Sequence, residues 1–330
     1  METPMQTQRR FMALVLAGLF ALPAVTTAQT YPARPVKLVV SFAAGGPTDV
    51  LARIIAQGLS KTLGQQVIVD NRAGGGGAIG TREVAKAQAD GYTLLFAGDA
   101  ALTVQPQLTP NVGYDARKDF TPLRLVAAQA NVLVVNASKG LPDMKTLLAQ
   151  AKGKRGALTF GSAGNGSPSH LIGALFENQA GIDLVHVPYK GAAPAMTDLI
   201  GGQIDMLFVG TPVALQNATR KELLMLAVTG SKRLPSLPNV PTFAELGIGQ
   251  LGSETAVWWS VMAPAGLPQN IAVKLDEALK AALNDADVQK NLNTQGVDTL
   301  NLDAKTTEQW MARDQAKWAA LIRAKKIASE

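Results

Sequence analysis

The chain predicts an α/β protein of two lobes, each built on a mainly parallel sheet flanked by helices, with two strands crossing between them. Strand-like and helix-like runs alternate in two separate cycles, and long apolar runs join those cycles. In addition, roughly 300 residues follow an amino-terminal export segment, more than one hydrophobic core usually holds.

Taken in order, residues 1–28 read as a secretory signal. Arg9-Arg10 supply the charge, 11–25 the apolar stretch, and Thr26-Thr27-Ala28 a small residue for cleavage, so the mature chain is expected to begin near Gln29. The apolar stretch is too short for a bilayer span of about 20 residues. An Arg pair is compatible with twin-arginine export, but a chain without a cofactor has no need to leave the cell folded. General secretion is therefore expected.

The first cycle predicts strand 36–42, helix 50–63, strand 67–70, helix 78–87 and strand 93–97. In the first helix Val50, Leu51, Ile54, Ile55 and Leu59 share one face, and Gly64 ends it. Residues 125–136 form one long apolar run, read as a strand crossing between lobes near Ala130. The second cycle predicts strand 158–160, helix 168–180, strand 184–187, helix 194–201, and strands 204–209 and 224–229. Residues 253–262, with Trp258 and Trp259, read as the return crossing, its bend near Thr255. Helices 271–284 and 306–328 are expected to pack back on the first lobe. Lobe 1 is thus 29–130 plus 255–330, and lobe 2 is 131–254.

Composition narrows the function. The chain has no cysteine, which excludes disulfides, thiolate metal sites and cysteine nucleophiles. Its 31 basic residues exceed 25 acidic ones, a mild preference for anionic partners. The bases are scattered, however, and lack interleaved aromatics, so nucleic acid is not an expected partner. The Lys152-Gly153-Lys154-Arg155 run reads as a solvated helix end. His170 and His186 are the only histidines, and no metal-ligand spacing or other cofactor motif includes them.

Two glycine-rich loops carry the chemistry. Ala43-Ala44-Gly45-Gly46-Pro47-Thr48-Asp49 and Gly161-Ser162-Ala163-Gly164-Asn165-Gly166-Ser167-Pro168 each follow a strand and open a helix. A helix start presents unpaired N–H groups and positive potential, which suits an anion without any Lys or Arg. Pro47 fits a first helical turn, Thr48 can cap, and Asp49 complements the dipole. Ser162, Asn165 and Ser167 are expected to supply further donors. Two facing sites of this kind suit a ligand with two acidic ends.

Six ordered motifs extend this reading: 31–37 (Tyr-Pro-Ala-Arg-Pro-Val-Lys), 42–49 (Phe-Ala-Ala-Gly-Gly-Pro-Thr-Asp), 71–74 (Asn-Arg-Ala-Gly), 90–95 (Asp-Gly-Tyr-Thr-Leu-Leu), 188–191 (Pro-Tyr-Lys-Gly) and 202–205 (Gly-Gln-Ile-Asp). Together they resemble the Bug-type periplasmic substrate-binding proteins of tripartite tricarboxylate transporters, from about Tyr31 to the carboxyl terminus. The resemblance implies a two-lobed periplasmic-binding-protein fold of type II-like form, here a monomer. It would close over a small organic acid anion in the periplasm and deliver it to the transporter's membrane subunits. It further implies that Phe42, Ala44, Gly45, Gly46, Pro47, Thr48 and Asp49 hold one carboxylate, largely through backbone N–H groups and water. Ser162, Gly164, Asn165, Gly166 and Ser167 would take the other side, with His170 one turn along. Gly191 and Asp205 would line the cleft, Asp205 through water or by orienting loop amides, and Asp99 would sit on a third cleft loop. Asp99 is less typical there. An acid at that place accepts from a ligand hydroxyl or ammonium, or repels a second carboxylate.

Two enzyme readings compete. Gly75-Gly76-Gly77-Ala78-Ile79-Gly80 matches a dinucleotide fingerprint with Asp99 downstream, but it lies in the second βα unit, displaced from its strand by an Asn-Arg-Ala-Gly insert. Ser162 and Ser167 sit on strand-to-helix turns as hydrolase nucleophiles do. Phe160 and Asn165, however, occupy the positions where that motif requires its first glycine.

Overall fold

The computed structural model describes residues 31–189, 191–248, 251 and 257–327. A leading unit, 1–33, separates from a body, 34–330, to which every described strand and helix belongs. The expected export segment lies outside the described residues. No described helix is long and apolar enough to cross a membrane.

The body contains two mixed sheets flanked by helices. Strands β1 (Val36–Val40), β2 (Val67–Asn71), β3 (Thr93–Gly98), β4 (Phe120–Gln129), β10 (Val257–Pro264) and β11 (Asp298–Leu302) form the first, in the order β11-β4-β10-β3-β1-β2. Strands β5 (Asn131–Asn136), β6 (Thr159–Ser162), β7 (Val185–Pro188), β8 (Met206–Gly210) and β9 (Leu223–Val228) form the second, in the order β7-β6-β8-β5-β9. Parallel pairing is confined to β2-β1-β3 and β7-β6-β8, where helices make the return connections. Both sheets are mixed rather than mainly parallel because the crossing strands enter them antiparallel.

The run 125–136 is indeed a crossing. It is β4 of one sheet followed by β5 of the other, with Ala130 between them. The Ala130 carbonyl is drawn out of the ladder by the N–H and hydroxyl of Thr211, at 3.2 and 3.0 Å. The returning strand β10 lies directly beside β4, Val257 opposite Gln129. The expected bend near Thr255 falls outside the described residues.

Helices α1 (Pro47–Leu63), α2 (Ala78–Ala85), α3 (Gln105–Leu108), α4 (Met144–Gly153), α5 (Pro168–Ala180), α6 (Ala192–Ile200), α7 (Thr211–Gln216), α8 (Gln269–Asn284), α9 (Ala286–Thr294) and α10 (Ala304–Lys325) complete the body. A π-helical turn, Ala100–Val104, leads into α3. Helix α1 packs on α8 and α9 through Gly58, where any side chain would crowd Val288 and Ala282. Arg124 on β4 is buried and ties α8 in place, its guanidinium donating to both Asp276 carboxylate oxygens at 2.9 Å. Helix α10 differs from expectation, because it does not pack on the first lobe alone. Met311 joins the core of the first sheet, whereas Trp318, Leu321 and Ile322 join the core around Phe160, Phe176 and Phe208 of the second. A helix of 22 residues is about 33 Å long and reaches both.

Candidate functional site

Strand register places both glycine loops at carboxyl edges. Val40 pairs with Asn71 and Phe96, so the segments after β1, β2 and β3 leave the first sheet together. Ser162 pairs with Pro188 and Gly161 with Leu207, so those after β6, β7 and β8 leave the second together. Helices α1, α5, α6 and α7 start at these edges. In parallel α/β sheets such edges are where ligands bind.

The first loop is organised from outside. Asp49 is buried; its Oδ2 accepts from the Gly45 N–H at 2.8 Å and from Arg53 Nε at 3.1 Å, and its Oδ1 accepts from Asn71 Nδ2 at 3.0 Å. Asn71 also donates to the Phe42 carbonyl at 3.0 Å. Burial would raise the Asp49 pKa, but the bonds from Arg53, Gly45 and Asn71 outweigh it and hold the carboxyl below its usual range. Thr48 is not the cap. Gly46 occupies that position, and the Thr48 hydroxyl accepts from the Trp259 indole at 3.1 Å. The N–H groups of Ala44, Thr48 and Asp49 have no acceptor among the described residues; for Thr48 and Asp49 helix geometry dictates this in the first turn, and Ala44 lies in the loop before the cap. Ala44, Gly45 and Pro47 are exposed around them.

The second loop closes on itself. Ala163 N–H donates to Ser169 Oγ at 2.9 Å, Gly164 N–H to Ser162 Oγ at 3.1 Å, Gly166 N–H to His170 Nδ1 at 3.0 Å, and Ser167 N–H to the Gly164 carbonyl at 3.2 Å. Ser167 caps α5, accepting from His170 N–H, and donates its own proton to the Gly164 carbonyl at 2.6 Å. Ser162 is fully buried. Neither hydroxyl is the free donor the sequence suggested, because the loop backbone engages both. Asn165 stands exposed at the tip, and its N–H and that of Ser169 have no acceptor among the described residues.

Helix α3 lies against both the 74–77 glycines and the second loop. A side chain on Gly76 would collide with Gln105, and one on Gly166 would collide with Leu108. Gly77 lies against Phe42 and Ala101. Glycines 74–77, which overlap the start of the fingerprint, all have positive φ. The approach they permit is filled by Ile79, Gln105, Ala101 and Phe42, where a dinucleotide phosphate would need room.

Residues 51–327 match the tripartite tricarboxylate transporter family receptor model. The chain belongs to this family. BugT of Bordetella pertussis is 37% identical over 94% of this chain and 96% of its own length. Among solved structures, a Rhodopseudomonas palustris protein with adipate, Rpa4515, is 33% identical with a TM-score of 0.79, covering 90% of this chain and 99% of its own. MatC of the same organism, with bound malate, is 29% identical with a TM-score of 0.74, covering 88% and 100%. The Bug-type resemblance and the two-lobed fold are thereby established, and the family is one of receptors rather than enzymes.

Within this receptor, two implied site residues sit otherwise than expected. Asp205 immediately precedes β8 and therefore stands at the amino edge of the second sheet, opposite to the glycine loop. Its carboxylate accepts from Thr159 N–H at 2.7 Å and Thr159 Oγ1 at 2.8 Å and pairs with Lys139 at 3.1 Å, a fastening between strands. Asp99 ends β3 at the carboxyl edge but is buried. Burial, and then the charge of Asp314, push its pKa to about 8, so it is neutral at pH 7 and does not repel a second carboxylate. Asp314 accepts from Thr103 at 2.6 Å, Trp258 at 3.2 Å and Lys317 at 2.6 Å. Gly191 caps α6 beside the loop, with open space around it.

Sequence reasoning missed Asn71, Trp259, Ser169, Gln105 and Leu108 as parts of this region, and it gave His186 no role there. Asn71 opens the Asn-Arg-Ala-Gly motif and Ser169 stands two residues past Ser167, so both could have been found along the chain; Trp259, Gln105 and Leu108 reach this region only through tertiary contacts. His170 and His186 stack face to face, ring centroids 3.8 Å apart at 10°. The His186 Nε2 lies 2.6 Å from Ser162 Oγ. This resembles a nucleophile and its base, but the serine is buried and also bonded to Gly164.

Proposed function

We propose that this receptor binds a small organic carboxylate, a di- or tricarboxylate with an aliphatic or aromatic body, between the two carboxyl edges. Lobes 29–130 plus 255–330 and 131–254 would close over it, bending at the crossings near Ala130 and Thr255. The observation that carries this reading is the set of open N–H groups on Ala44, Thr48 and Asp49 at the start of α1. Each hydrogen bond to a charged carboxylate contributes about 1.5 to 3 kcal/mol, and the helix adds favourable potential without a counterion. Phe42, Gly45, Gly46 and Pro47 would shape that pocket, and Asn165 with the 164–167 backbone would face the second acidic group. Adipate and malate in the family structures are acids of this class. Release of residues 1–28 would leave a monomeric periplasmic protein that passes its acid to the membrane subunits of a tripartite tricarboxylate-type transporter.

A thermal-shift series with C4 to C6 dicarboxylates and citrate tests the binding. An acid at 100 times its dissociation constant adds about 2.7 kcal/mol of stability. A melting point unmoved by every acid in the series defeats the reading. Loss of uptake of the bound acid on deletion of the receptor gene tests the delivery.

A further inference from the structure

We infer that His170 and His186 are a positioning pair for the second glycine loop, His170 by accepting the Gly166 N–H and His186 through the Ser162 hydroxyl. This rests on the reading of that loop as one wall of the carboxylate site. The chain has two histidines in all, and the fold brings both to this loop, one from α5 and one from β7. His186 is held between two rings, His170 at 3.8 Å and Phe160 at 4.8 Å. An apolar ring in place of His170 would keep the stack on His186. It would leave the buried Gly166 N–H without an acceptor, which is costly for a backbone donor.

The geometry fixes the proton on one ring. Gly166 N–H needs the lone pair of Nδ1, 3.0 Å away, so neutral His170 carries its proton on Nε2. Protonating Nδ1 would set two donors against each other and release the loop. Surrounding charges do not favour that form. Glu177, farther along α5, bonds to the Leu184 N–H and Lys325, and Tyr189, just past β7, donates to Asp198. Asp205 and Lys139 pair at the far edge of the sheet. No described carboxylate is paired with either ring. Burial first, and for His170 the neighbouring His186 as well, lower both pKa values to about 4.

Histidine side-chain and amide NMR, together with calorimetry, test the pair. Both rings are expected to stay neutral at pH 5.5, where an ordinary histidine is about 90% charged. His170→Asn keeps an acceptor where Nδ1 was, whereas His170→Leu removes it and keeps bulk; both variants lose the stack. The Gly166 amide resonance should move strongly in His170→Leu and little in His170→Asn. Affinity for whichever of succinate, adipate and citrate the wild type binds should fall about tenfold in the Leu variant and stay within about threefold in the Asn variant. Equal losses in both variants, or wild-type affinity in the Leu variant, overturn the inference. So does ordinary titration of the rings near pH 6.5. A wild type that binds none of the three acids defeats the proposed function instead, and the Gly166 resonance and ring titrations still decide the pair. Should the Leu variant not fold, a Gly166 resonance displaced strongly in the Asn variant overturns it.

Discussion

The two glycine loops look alike in sequence and differ in where their backbone donors go. The first is braced by Asp49 and by Asn71 from the neighbouring strand, and it leaves the N–H groups of Ala44, Thr48 and Asp49 open. The second turns its donors inward, onto Ser162, Ser169, His170 and the Gly164 carbonyl, and leaves the N–H groups of Asn165 and Ser169 without an acceptor among the described residues. Glycine followed by a helix start therefore describes backbone freedom and says nothing about donor availability. What decides availability is which side chains reach the amides first. The first loop is suited to take a carboxylate directly; the second is a preformed wall with its recognition at the tip.

Four substitutions bear on that contrast. The largest effect is expected at Gly166, whose φ of +71° and contact with Leu108 make the closed loop possible. Gly166→Val should destabilise the protein by about 3 kcal/mol in urea unfolding, and a loss under about 1 kcal/mol would mean the second loop is not rigidly closed. Next, Asp49→Ala should remove about 2 kcal/mol and free the Gly45 N–H and the Asn71 amide, weakening carboxylate binding with it. If calorimetry finds the affinity intact, the first loop does not depend on its brace.

Asp99→Asn tests the third segment at this edge. The folded pKa is raised to about 8 from an ordinary 3.8, so between those values the folded state holds a proton that the unfolded state has lost. Stability should therefore fall as pH rises through this window, and the Asn variant should gain about 2 kcal/mol on the wild type between pH 5 and pH 6.5. Parallel stability curves would show that Asp99 is ionised throughout. The smallest effect is expected at Ser167. Because its hydroxyl is a cap, Ser167→Ala should cost about 1 kcal/mol of stability. Its acid-binding constant should be almost unchanged, whereas a donor to the ligand would show the loss in binding.

Much of the architecture was legible. The helix expected at 168–180 is α5, Pro168–Ala180, opened by Ser167 and stopped by Gly181, and the apolar run at 125–136 does carry the chain from one sheet to the other. The helices α3, α4, α7 and α9 and strand β11 were not predicted. Helix α7 has only six residues, and β11 is a half-buried edge strand without a clear alternation, so neither leaves a periodic signal. At the candidate site, both glycine loops follow a strand and open a helix as the sequence suggested. Asp205 was misjudged because a strand's two ends look equivalent until its register against β6 is known.

By itself, the sequence determined the local conditions: glycines that allow the backbone to turn, prolines at first helical turns, caps, and an apolar rhythm that separates strands from helices. These depend on a residue and its near neighbours, so they can be read along the chain. Tertiary structure alone decided that α10 would join both cores, that α3 would pack against both Gly76 and Gly166, and that His186 would meet His170 and Ser162 from a different strand. Hydrogen-bond satisfaction in a packed interior depends on distance in space, and the order of residues along the chain does not encode which donor reaches which acceptor first.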